Sequence, residues 1–178
     1  MKDDNFFELF GLKVQFEING ADLTARYRAL QSQIHPDKYT NAAEKERLLS
    51  VHKAALVNEA YQVLKTPLPR AKYMLSLHGI LLDEQQSTTL MAPDFLMEQM
   101  ELREALSEIQ HADSPIKLLD DIFSKIESKK NQLISDIALK LSKESKKEYE
   151  AAADKVRQLQ FFIKLQEEAR QIESQLDL

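Results

Sequence analysis

Asp22-Leu23-Thr24-Ala25-Arg26-Tyr27-Arg28-Ala29-Leu30-Gln31-Ser32-Gln33-Ile34 runs straight into His35-Pro36-Asp37, and a second run then ends Val57-Asn58-Glu59-Ala60-Tyr61-Gln62-Val63-Leu64. This stretch decides the fold. Leu23, Tyr27, Leu30 and Ile34 recur at the spacing of one helix face, and Asp22 stands where a cap is expected. Pro36 ends that helix, because its ring disfavours the α conformation at the residue before it. His35 is therefore pushed into the connection. The next helix is expected to start near Ala42 and to bury Leu49, Leu56, Ala60 and Val63. The two together read as an antiparallel helical hairpin that carries its most distinctive residues at the tip.

Outward from the hairpin the signals remain helical. Asn5 can cap a short helix over Phe6 to Phe10, closed by Gly11. Thr66-Pro67-Leu68-Pro69 interrupts the hairpin's second arm, and Pro69 suits the first turn of a helix from Arg70 to His78, closed by Gly79. Residues 80–92 read as a linker, after which Pro93 opens a second block. There, Phe95 to about Gln110 is one helix, followed by a turn in which Ser114 caps and Pro115 takes the first helical position. Ile116 to Leu141 is a long helix with Leu119, Ile122, Ile126, Leu133, Ile137 and Leu141 on one side. After a break at Ser142 to Ser145 a last helix runs to the C-terminus. The expectation is an all-α chain: a hairpin domain over 1–79, a linker over 80–92, and an antiparallel three-helix bundle over 93–178.

Composition narrows the function. Among 178 residues there is no cysteine, which excludes a disulfide framework, a thiolate nucleophile and thiolate ligation of a metal or cluster. The net charge of −5 disfavours general attraction to nucleic acid. No apolar run approaches the roughly 20 residues that span a bilayer, so no membrane partner is expected. Met1-Lys2-Asp3-Asp4 leads directly into Phe6 and Phe7 without a basic start or a long apolar run, and a cytoplasmic address is the expectation.

His35 beside Asp37 could suggest a general base, but no nucleophile, metal set or phosphate loop accompanies it. An exposed tip also excludes water poorly, whereas catalysis normally requires that water be excluded. As a bare helix stop, Pro36 suffices and leaves His35 and Asp37 unexplained. Docking uses all three: proline limits the entropy lost on binding, while the imidazole and carboxylate present a donor and an anion. Arg28 falls opposite the apolar face, Arg26 falls on its flank, and with Lys38 they form a basic patch suited to an acidic partner surface.

Asn58-Glu59-Ala60-Tyr61 and Arg70-Ala71-Lys72-Tyr73, in order behind His35-Pro36-Asp37, resemble the signatures of J-domains, which dock on Hsp70-class chaperones and trigger their ATP hydrolysis. Leu75-Ser76-Leu77-His78-Gly79, Phe95-Leu96-Met97-Glu98-Gln99-Met100-Glu101-Leu102-Arg103-Glu104 and Ala151-Ala152-Ala153-Asp154-Lys155-Val156-Arg157 resemble the HscB family. Those are the J-proteins of iron–sulfur cluster assembly. The resemblance implies that His35, Pro36 and Asp37 dock on HscA, a specialised Hsp70-class ATPase. It implies further that the bundle receives IscU, the scaffold on which the cluster is built. Ile34 stands where an aromatic is often found, and Met74 where general J-domains tend to have aspartate.

The helix from Phe95 carries a second surface. Phe95, Leu102, Leu106 and Ile109 share its core face, whereas Leu96, Met97 and Met100 fall outside it near Glu101, Glu104 and Glu108. Either these apolar side chains pack against the first domain or the linker, or they form an exposed patch for a basic partner, the surface that the resemblance assigns to the scaffold. Phe161 is a weaker candidate for that surface. It fits neither Tyr149-Ala152-Val156-Leu159-Ile163 nor Leu165-Ala169-Ile172-Leu176, and it could equally be core where those stripes change over. His52, His78 and His111 are not at metal-ligand spacing, and no cofactor is expected.

The expected function is thus a non-enzymatic co-chaperone that carries the scaffold to the chaperone and stimulates its ATPase. A general J-protein delivering other clients is the alternative, but it would need a client groove, a Gly/Phe-rich linker or zinc modules. An enzyme with a carboxylate metal site would need a Glu-x-x-His motif in the bundle, and no histidine follows His111.

Overall fold

The structure, a computed structural model, describes residues 5–34, 44–82 and 92–176. Within them the chain forms α1 (Phe6–Leu9), α2 (Gly20–Ile34), α3 (Glu44–Lys65), α4 (Pro67–Leu77), α5 (Pro93–Glu108), α6 (Pro115–Leu141) and α7 (Lys146–Gln175). No strand occurs among the described residues. The chain divides into two compact units, Met1–Leu77 and His78–Leu178.

In the first unit α2 packs along α3, and α1 and α4 pack on α3 in turn. Asn5 caps α1 by accepting the Glu8 amide at 2.9 Å, as its position predicts. The α2 cap differs from the expectation. Asn19 rather than Asp22 accepts the amides of Ala21 and Asp22, at 2.9 and 3.1 Å. The helix starts at Gly20, so Asp22 already lies inside its first turn and pairs with Arg26 instead.

The face of α3 also differs. Leu49 and Leu56 are 49% and 41% exposed, and Val63 is half-buried. Ser50, Val57, Ala60, Tyr61 and Leu64 face inward. The helix is rotated by roughly one residue because Tyr61 stacks on Tyr27 of α2, with ring centroids 4.0 Å apart. Ala60, next to Tyr61, has no exposed surface. α4 begins earlier than expected, at Pro67, where a missing N–H costs nothing.

In the second unit α6 and α7 form the main pair, and α5 packs on α6. All six residues of the expected α6 stripe are buried. Pro115 takes the first turn of α6, but the Ser114 side chain makes no cap hydrogen bond. Ile109–His111 tightens into a 3-10 turn that replaces the last residues of the expected helix. Ser145 caps α7 through the Glu148 amide at 3.3 Å.

Between α6 and α7, Glu144 holds φ of +44°, a left-handed conformation that costs a side chain about 1–2 kcal/mol. Glu144→Gly is therefore expected to stabilise the second unit by about 1 kcal/mol, readable as a raised midpoint of chemical unfolding. A lowered midpoint would show that the Glu144 side chain makes a compensating contribution.

Candidate functional site

His35, Pro36, Asp37 and Lys38 lie outside the described residues. The hairpin that leads to them is held in register by its own signature residues. Asn58 of α3 accepts the Tyr27 hydroxyl at 3.0 Å and the Gln31 amide at 3.2 Å. Tyr61 places its hydroxyl 3.2 Å from that of Thr24 while its ring covers Tyr27. Asn58 and Tyr61 thus set the alignment of the two arms, and with it the direction in which α2 delivers its last turn.

Of the expected basic patch, Arg28 stands exposed on α2. Arg26 does not stand free. Its Nε donates to both Asp22 carboxylate oxygens, at 2.9 and 3.0 Å, and its Nη1 donates to the carbonyls of Phe10 and Gly11 at 2.9 and 3.2 Å. Half-engaged in this way, Arg26 ties the end of α1 to α2. Gly11, at φ of +61°, makes the turn that offers those carbonyls.

Arg70 and Tyr73, which enter the sequence reading only as parts of a signature, are structural anchors. Arg70 is 8% exposed. Its Nε donates to the Leu64 carbonyl at 2.9 Å, its Nη2 to that of Lys65 at 3.5 Å, and its Nη1 to that of Phe16. The guanidinium also lies 5.3 Å from the centroid of the Phe16 ring. It therefore satisfies the carbonyls left open at the end of α3 and fastens the α1–α2 connection to them. Burial lowers its pKa from the ordinary arginine value. The Tyr73 ring stacks on Phe6 with centroids 4.4 Å apart, and its hydroxyl accepts the Phe6 amide at 2.8 Å. Burial raises the pKa of that phenol.

On α5, Phe95, Leu102 and Leu106 are buried, with Ile109 just beyond the helix end. Met97 and Met100 are 62% and 72% exposed. Glu101, Glu104 and Glu108 are exposed on the same side, and Leu96 is half-buried at its edge. Phe161 resolves differently from its place among the surface candidates. It is 9% exposed and meets Phe95 and Phe162 edge to face, with centroids 5.6 and 5.4 Å apart. Arg103 lies 5.5 Å over its ring. The physical reason is the drift of a 3.6-residue helix against its neighbours. Where the two α7 stripes change over, Phe161 and Phe162 both turn inward against α5.

His52 and His111 are exposed, and within the second unit His78 stacks on Tyr149 at 3.9 Å. Burial also raises the pKa of the Tyr149 phenol. Among the described residues no group of three or more His, Asp or Glu could hold a metal ion. No described helix is long and apolar enough to cross a membrane.

Residues 5–73 match the DnaJ domain, and residues 91–170 match the HSCB C-terminal oligomerisation domain. A hairpin unit of the first kind joined to a helical unit of the second defines a J-domain co-chaperone. The co-chaperone protein HscB homolog of Vibrio cholerae is 44% identical over 172 residues, spanning 97% of this chain and 98% of that protein. That of Vibrio atlanticus is 45% identical over the same share of each. Chaperone HscB from Vibrio cholerae superposes with a TM-score of 0.85 at 42% identity, covering 97% and 99% of the two chains. Human co-chaperone HscB superposes at 0.88 with 28% identity, covering 97% of this chain and 84% of that one. The chain belongs to the HscB family, the J-domain co-chaperones of iron–sulfur cluster assembly.

Proposed function

We propose that this protein binds an IscU-type scaffold through α5, carries it to an HscA-type chaperone and stimulates that chaperone's ATPase, with no chemistry of its own. The observation that carries the reading is the double nature of α5. Its core face is filled by Phe95, Leu102 and Leu106, while Met97 and Met100 remain 62% and 72% exposed beside Glu101, Glu104 and Glu108. An apolar centre with an acidic surround suits a partner with apolar anchors and basic neighbours. Leu96 forms the edge of this surface, and Phe161 supports it from beneath.

In the hairpin domain, His35, Pro36 and Asp37 dock on the chaperone with Arg28 and Lys38. Arg26 contributes chiefly by holding α2 against α1. Tethering both partners raises the effective concentration of scaffold at the chaperone, so modest individual affinities suffice.

The test is steady-state ATP hydrolysis by an HscA-type chaperone with this protein, with IscU, and with both. The expected result is synergy, the pair stimulating far more than either alone. Met97→Ala combined with Met100→Ala is expected to weaken IscU binding about tenfold and to reduce the synergy, leaving stimulation by the protein alone intact. Stimulation that ignores IscU would replace the scaffold with another client and favour a general J-protein. Absence of any stimulation would overturn the docking role of the tip.

A further inference from the structure

Beside the exposed face of α5 lies a cleft of about 460 Å³ between α5 and α6. Its walls are the buried Leu102 and Ile122 and the half-buried Ala105 and Leu118, one apolar pair from each helix. One end is closed by Lys129, whose ammonium meets the Glu98 carboxylate at 2.7 Å. With that pair neutralised, the remaining charges at the rim are Glu101 from α5 and Asp121 and Lys125 from α6. The cleft is therefore apolar inside and net negative at its mouth. Glu101 belongs both to this mouth and to the acidic row beside Met97 and Met100, so the two features form one continuous surface.

A greasy slot with carboxylates at its opening fits one type of side chain well. Lysine and arginine lay an aliphatic stem along apolar surface while keeping the charged head at the polar edge. Neither an acidic nor a purely apolar side chain satisfies both parts. We propose that this cleft receives one lysine or arginine of the scaffold protein, its stem against Leu102, Ala105, Leu118 and Ile122 and its head between Glu101 and Asp121. The proposal rests on the scaffold-docking reading of α5 and extends the docking site to α6. Lys125, at the same mouth, opposes the incoming cation, so it limits affinity.

The test is isothermal titration of the full-length protein with IscU. Asp121→Asn is expected to weaken binding about fivefold, and Ala105→Leu, which fills the slot, about tenfold. Lys125→Gln is expected to tighten binding about threefold, an effect that mere loss of structure does not produce. Glu168→Gln and Lys164→Gln remove the same charges from exposed positions on α7 and control for the overall field. Cleft variants no different from these controls, with Met97→Ala and Met100→Ala still weakening the complex, would overturn the cleft while the α5 reading stands. No binding of IscU by the unaltered protein would overturn both.

Discussion

Arg70→Ala is expected to destabilise the first unit by about 3 kcal/mol, a loss on the scale of emptying a buried apolar position although the residue is charged. The side chain is 8% exposed and bridges carbonyls of Phe16, Leu64 and Lys65. Leu64 and Lys65 end α3, where no further turn supplies amide donors. The residue that opens α4, Pro67, has no N–H to offer. Truncation would thus leave buried acceptors unpaired and a void beside Phe16. Arg70→Lys should recover only a minor part, because a single ammonium cannot fork toward three carbonyls. Hydrogen exchange of the full chain distinguishes this from a general effect: α3 and α4 amides should lose protection while α6 and α7 keep theirs. A loss below about 1 kcal/mol would mean that water replaces the guanidinium at little cost.

His35→Gln and Asp37→Asn are each expected to bring stimulation of an HscA-type ATPase down to the chaperone's basal rate, while IscU binding stays within twofold of the unaltered protein. Both exchanges preserve size and leave Pro36 in place, so what they remove is the imidazole or the carboxylate itself. Helix content and unfolding midpoint should not change. Full stimulation by either variant would sink the docking role assigned to the tip. The contrast with Arg70→Ala is useful: that variant should lose stimulation together with the protection of α3 and α4, and these two should lose it alone.

Much of the helical frame is visible in local pattern. The α6 stripe of Leu119, Ile122, Ile126, Leu133, Ile137 and Leu141 is buried throughout, because a long amphipathic helix with one apolar face has one way to bury it. Met97 and Met100 could be separated from the core of α5 for the same reason. The face of α3 could not. Apolar side chains occur nearly all around its first half, where Leu48, Leu49 and Val51 are 59%, 49% and 49% exposed. Periodicity alone cannot choose between two such faces, and the Tyr27–Tyr61 stack makes the choice. The anchoring by Arg70 leaves no local pattern: it turns back on the end of α3 at Leu64 and Lys65 and reaches Phe16, 54 positions distant.

What the amino-acid sequence determined by itself is the set of local signals: helix stops and starts at prolines and glycines, the hairpin carrying His35-Pro36-Asp37, the bundle stripe of α6, and the apolar-acidic side of α5. Each depends on residues within a few positions of one another, where spacing and backbone restriction act without knowledge of the rest of the chain. The tertiary structure alone decided the inward turn of Phe161, the hold of Arg26 on the Phe10 and Gly11 carbonyls, that of Arg70 on the Phe16 carbonyl, and the cleft shared by α5 and α6. Those depend on which side chains meet after distant helices pack, and close-packed contacts of that kind leave no periodic trace in sequence.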